Sequence, residues 1–211
     1  MVGPSPSPPR TTAELCVDQK ASLRRDLRAK RNAHVLALDP RFQALMFKQP
    51  PSPVAALVPA GATIGLYLAG PGEAPATSYA RHFHEAGHKI ALPWFANRGA
   101  PMIFREWGSP WVDDMLAPSP WQRIKQPEAD AAEIVPDVVF VPLVGFTAQG
   151  DRLGQGGGHY DRWLAANPSA LPIGLAWDCQ LVGELPCETH DRPLHAVVTP
   201  TRIYGPWENA A

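Results

Sequence analysis

The sequence predicts an α/β protein with a mostly parallel central sheet, and three observations carry that prediction. Short apolar segments such as ATIGLYLA, KIALP and LPIGLAW alternate with stretches of helical spacing, the pattern left by parallel strands joined through helical crossovers. One segment, DVVFVPLVGF at residues 137–146, is apolar nearly throughout, as a strand covered on both faces must be. It runs straight into a glycine-rich turn, TAQGDRLGQGGG, and then into HYDRWLAAN, where helical spacing resumes with Tyr160, Trp163 and Leu164 on one side.

Taken in order, residues 12–38 read as a helix. Thr11 and Glu14 have capping-box spacing, and no glycine or proline intervenes before Pro40. Leu23, Leu27, His34 and Leu38 share one side, while Lys20, Arg24, Arg28 and Arg31 form a basic stripe beside it. The default for such a stripe is a solvated helix face. After the proline-rich QPPSP, a strand is expected over residues 62–69, a helix over 78–86 and a strand over 89–93. PMIFREW supplies a further short strand, and residues 108–136 read as loop-rich. The organising strand, loop and helix follow, and residues 171–177 and 195–199 give the last strands. There is no internal repeat and no sign of a second domain.

At 211 residues, with 45% hydrophobic and 18% charged, the chain is long enough to bury one good core. A net charge of −1 predicts no nucleic-acid or membrane-surface partner, so any basic function must be local. Cys16, Cys179 and Cys187 are odd in number and lack C-x-x-C spacing, which suits a reduced, cytoplasmic setting. No apolar run has membrane-spanning length. The opening MVGPSPSPPR lacks the apolar stretch of a secretory signal. Residues 1–11 are read as a mobile Pro/Ser-rich tail and residues 12–211 as one domain, expected to be monomeric.

Strand, glycine loop and helix start form an arrangement suited to phosphate. Gly154, Gly156, Gly157 and Gly158 let consecutive backbone N–H groups approach an anion, and the helix dipole faces it. Neither standard fingerprint fits. No Lys-Ser or Lys-Thr follows the glycines, and His159 stands where a dinucleotide loop needs its third glycine. Arg152, Tyr160, Asp161 and Arg162 crowd the same turn, which an idle surface connection rarely does.

At these residues a resemblance becomes specific. RLGQGGGHYDR resembles the signature of the 5-formyltetrahydrofolate cyclo-ligase family, whose form is close to R-x-G-x-G-x-G-Y-Y-D-R. The likeness continues through GLAWDCQLVGELPCETHDRPLHAVVTP and back through PMIFREW, KIALPWF, GLYLAGPGEAPA and KASLRRDLRAKR, in family order over residues 18–204. It implies a three-layer α/β/α fold similar to ribose-phosphate isomerases and CoA transferases. It also implies ATP and Mg²⁺ as cofactors and 5-formyltetrahydrofolate, with or without a polyglutamate tail, as substrate.

Carried over residue by residue, Lys20 and Arg24 match the K-x-x-x-R pair that contacts ATP, the arginine reaching the folate site as well. Arg152, Leu153, Gly154, Gln155, Gly156, Gly157, Gly158, His159 and Tyr160 are then the nucleotide loop, with Gln155 to His159 shared with the folate. Leu68 and Glu73 belong to the folate pocket, and Asp161 and Asp191 to Mg²⁺, a hard cation usually reached through one or two carboxylates plus phosphates. Catalytic charge falls to Lys20, Arg24 and Arg152, with no protein nucleophile. Arg28 and Arg31 keep the solvated reading.

Departures from the family pattern leave alternatives. His159 replaces a tyrosine, His195 an aspartate, and Gln155 and Gly157 stand where some members carry basic residues. A paralogue acting on another cofactor-pathway substrate, or a non-catalytic nucleotide-binding module, would also keep the loop. His82, His84 and His88, with His190 and His195 elsewhere, could suggest zinc, but they lack a recognised ligand pattern. Tyr67, Trp94, Trp107 and Trp111 could stack on a ligand ring or serve as core.

Overall fold

The computed structural model describes residues 12–43, 45–112, 115–119, 124–186 and 192–207. The expected tail, Thr11 of the capping box, His190 and Asp191 lie outside these residues. The first helix, α1, spans Thr12–Ala37, followed by the single turns α2 (Pro40–Gln43) and α3 (Ser52–Ala55). Then come β1 (Thr63–Gly65), α4 (Thr77–Glu85), β2 (Lys89–Trp94) and β3 (Ile103–Glu106). After β4 (Leu116–Pro118) and β5 (Lys125–Pro127) the chain forms β6 (Val138–Pro142), β7 (Gly145–Phe146) and β8 (Arg152–Leu153). Helix α5 (His159–Ala166), β9 (Leu171–Leu175), a 3₁₀ turn (Asp178–Gln180), β10 (Ala196–Val198) and β11 (Ile203–Tyr204) complete it.

Seven strands form one sheet in the order β11-β10-β9-β6-β1-β2-β3. All pairs among β10, β9, β6, β1 and β2 are parallel, and the edge strands β11 and β3 pair antiparallel. The chain therefore winds outward from β1 to β2 on one side and from β6 to β9 and β10 on the other. The reversal lies between β1 and β6, where the crevice beyond the strand ends is open to a ligand.

Alternate strand residues build two cores, making three layers. Ile64, Ile90, Phe140, Ile173 and Val198 pack with Tyr79 and Phe83 of α4 and with Val35 and Leu38 from α1 and its end. Val139, Val141 and Val197 face the other way, against Trp163 and Leu164 of α5. Trp177, fully buried, meets Phe47 at 5.3 Å and His34 at 5.7 Å, and donates its indole N–H to Gly72 O at 2.9 Å. It anchors α1 to the loop after β1. Among the described residues no helix is long and apolar enough to cross a membrane.

Three readings from sequence change. The run at residues 137–146 is two strands, because the chain turns after Pro142 and β7 pairs antiparallel with β8 inside the expected turn. The loop-rich stretch contains the β4–β5 pair, whose prolines and two-sided mixture hide the strand period. The strand expected over residues 62–69 stops at Gly65, and the chain after Leu66 leaves the sheet to wall the crevice.

Candidate functional site

The crevice between the ends of β1 and β6 opens into a cavity of about 310 Å³. The loop after β1 supplies Tyr67, Leu68 and Glu73, and the end of β2 supplies Leu92 and Pro93. Lys20 and Arg24 enter from α1, and residues 152–161 close the remaining side. Every candidate site residue expected from the sequence lines this one cavity except Asp191, which is outside the described residues. Four cations (Lys20, Arg24, Lys125, Arg152) stand against two carboxylates (Glu73, Asp161), so the lining favours an anion.

The glycine loop owes its shape to left-handed backbone at Gly156 (φ 105°) and at Gly158 (φ 62°), the residue that caps α5. No side chain caps that helix, which leaves its first N–H groups without a side-chain acceptor at the end where the glycine loop enters. Asp161 in its first turn pairs with the buried Arg152 guanidinium. Arg24 Nε donates to Gly154 O at 3.0 Å and so braces the loop from α1. His159 sets its ring edge-on against Phe95, 4.9 Å between centroids, and its Nδ1 takes a hydrogen bond from Arg162 at 3.2 Å. Burial, reinforced by Arg162, pushes this imidazole below its usual range. Burial, with Glu73 adding to it, pushes the Tyr160 hydroxyl well above the usual tyrosine range, so it remains a neutral donor.

Glu73 is held on both oxygens. Oε2 accepts from Gly70 N at 2.8 Å and Oε1 accepts from the Gln155 side-chain amide at 2.6 Å. Behind it lies Arg31, buried, with Nη1 4.0 Å from Glu73 Oε1 and Nη2 donating to Pro71 O at 3.3 Å. Arg28 grips Gln155. The solvated-face reading of Arg28 and Arg31 is therefore overturned: α1 packs across the loop ends, and both side chains point into that junction.

Sequence reasoning missed the apolar half of the lining. Phe95, Met102 and Ile124 share the cavity with Tyr67, and the buried Gln126 amide meets Phe95 N and O, each at 3.3 Å. The available signal was the KIALPWF segment, whose end carries Phe95 past the strand. Of the four aromatics left open, Tyr67 alone lines the cavity; its hydroxyl donates to Ala74 O at 2.6 Å. Trp94 lies under Arg105, Trp111 under Arg81, and Trp107 is core. Among the described residues no group of His, Cys, Asp and Glu is placed to hold a metal by itself, and His88 Nδ1 bonds Ala62 O. For Mg²⁺ arriving with phosphates the donor set fits in part, since Asp161 brings one carboxylate to the cavity.

Fold and site together define a doubly wound α/β protein whose strand-end crevice joins a phosphate-type glycine loop to an apolar-walled chamber. Residues 17–200 match the 5-formyltetrahydrofolate cyclo-ligase family, and the chain belongs to it. The 5-formyltetrahydrofolate cyclo-ligase of Escherichia coli K12 is 46% identical over 88 residues, 39% of this chain and 48% of that protein. That of Mycolicibacterium smegmatis is 34% identical over 123 residues, 56% of this chain and 63% of that protein. The chain thus spans about half the length of the first of these relatives. Two solved structures share the fold. The 5,10-methenyltetrahydrofolate synthetase of Aquifex aeolicus has a TM-score of 0.60 at 22% identity, covering 91% of this chain and 95% of that one. That of Mycoplasma pneumoniae has 0.61 at 23%, covering 85% and 97%.

Proposed function

We propose that this protein cyclises 5-formyltetrahydrofolate to 5,10-methenyltetrahydrofolate at the expense of ATP, releasing ADP and phosphate. The observation that carries the reading is the shared cavity: the glycine loop, its cations and Glu73 line one chamber with an apolar wall. A formamide oxygen is a poor leaving group; ATP supplies the γ-phosphoryl that turns it into phosphate, which departs as nitrogen 10 closes the ring. Such a transfer needs positioning and charge stabilisation more than covalent help.

The residues divide that work. Backbone N–H groups of residues 154–158 and the start of α5 hold the phosphates, with Lys20, Arg24 and Arg152 supplying positive charge. Asp161, with Asp191 by family resemblance, would hold Mg²⁺, which neutralises phosphate charge when bound. Glu73 accepts N–H groups of the pterin, and Leu68, Tyr67 and Phe95 give that ring an apolar bed. Gln155 and His159 lie between the two ligands. The low-lying imidazole of His159 stays neutral and keeps Nδ1 as acceptor for Arg162.

The test is direct. Purified protein with 5-formyltetrahydrofolate and Mg-ATP should develop the absorbance of methenyltetrahydrofolate, and none should form without ATP. ATP binding with no product would point instead to a nucleotide module.

A further inference from the structure

Arg28 does not line the cavity, yet it makes three hydrogen bonds to a residue that does. Its Nε donates to Gln155 Oε1 at 2.9 Å, and its Nη2 donates to the same Oε1 and to Gln155 O, each at 2.8 Å. The fork thus fixes the side chain and the backbone of one loop residue together. With its oxygen committed to Arg28, the Gln155 amide turns its NH₂ to Glu73 Oε1 at 2.6 Å. Arg28, Gln155 and Glu73 therefore form a continuous chain from α1, through the glycine loop, to the loop after β1.

We infer that Arg28 is a positioning residue that couples occupation of the two halves of the cavity through Gln155. This rests on the assignment of the glycine loop to nucleotide and of Glu73 to folate. A folate that fixes the Glu73 carboxylate also fixes the Gln155 amide it accepts from, and the Arg28 fork passes that order to the loop backbone. The nucleotide then binds a loop already ordered and loses less conformational freedom, which is positive coupling, and the effect is reciprocal. Charge alone does not suffice: an ammonium has no planar fork to grip amide oxygen and carbonyl at once.

The experiment titrates a non-hydrolysable ATP analogue with Mg²⁺ into the full chain, with and without saturating 5-formyltetrahydrofolate. In the wild type, folate should tighten the analogue about fivefold or more, at the lower end of ordinary coupling. In R28M and in R28K that ratio should fall to near one. If Arg28 acts through Gln155, R28M/Q155A should bind the analogue no more weakly than Q155A alone. An undiminished ratio in R28M or R28K, or additive losses in the double variant, overturns the inference. So does a wild type that binds both ligands with a ratio of one. A wild type that binds neither ligand overturns the proposed function and takes this inference with it.

Discussion

Gln155 donates its side-chain amide to the Glu73 carboxylate at 2.6 Å, joining residues 82 positions apart across one cavity. Glu73→Gln keeps the shape of this junction but removes the charge and one acceptor. A charge-assisted hydrogen bond contributes roughly 1.5–3 kcal/mol, so 5-formyltetrahydrofolate affinity should fall about ten- to a hundredfold. ATP binding in the absence of folate should change by less than about threefold, roughly 0.6 kcal/mol. Paired titrations of both proteins with each ligand check this; equal folate affinity would remove Glu73 from the site.

The loop prediction rests on backbone geometry. A Cβ at Gly158 would lie 2.8 Å from Arg162 Nη1, and one at Gly156 would meet the Arg24 guanidinium at 3.5 Å, both residues having positive φ. Strain of about 1–3 kcal/mol should move the loop without unfolding the domain, because this turn is largely exposed. Gly156→Val, Gly158→Val and Lys20→Ala should each weaken ATP by about tenfold or more, roughly the value of one charge-assisted contact. Calorimetry in which all three bind ATP like the wild type would displace the nucleotide from this loop.

The sheet and the loop were legible because their signals are local. The apolar run at residues 137–146 marks buried strand, although it divides after Pro142 into β6 and β7, and the glycines before HYDRWL announce the start of α5. What stayed hidden needs the third dimension. Nothing in RRDLRAKR distinguishes a solvated Arg31 from one buried behind Glu73, since the partner comes from a loop 40 residues on whose path is set by β1 leaving the sheet. The β7–β8 hairpin escaped notice because two-residue strands carry no period to read.

Asp161 has two duties that one substitution separates. Its carboxylate pairs with Arg152, 8% exposed, and also faces the cavity. Asp161→Asn leaves an amide oxygen for the buried arginine but no charge, a stability cost of roughly 1–3 kcal/mol because Asp161 itself is partly exposed. Activity should drop and the Mg²⁺ concentration needed should rise, with Tm lowered by a few degrees. A lowered Tm with an unchanged Mg²⁺ requirement would make Asp161 a partner of Arg152 alone. Activity lost on chelation and restored by Zn²⁺ but not by Mg²⁺ would reverse the metal assignment.

Arg31 sets stability against binding. Its side chain is 5% exposed, and its Nε and Nη1 make no hydrogen bond, although Nη1 is 4.0 Å from Glu73 Oε1. Buried donors left unpaired cost about 1–3 kcal/mol each. Burial pushes the guanidinium's ionisation below its ordinary value, and the attraction of Glu73 does not restore it. Desolvation therefore outweighs the ion pair, and methionine, which fills similar volume without charge, should leave Tm unchanged or raise it. Folate binding should suffer instead. Glu73 keeps Gly70 and Gln155 but loses the cation behind it, so KM for 5-formyltetrahydrofolate should rise about tenfold, the value of one weak charge interaction, with kcat less affected. Arg31→Lys should recover part of that loss. Thermal melts and initial-rate kinetics on both variants decide the matter: a Tm that falls by several degrees while KM stays fixed would make Arg31 a support of the fold with no part in holding Glu73.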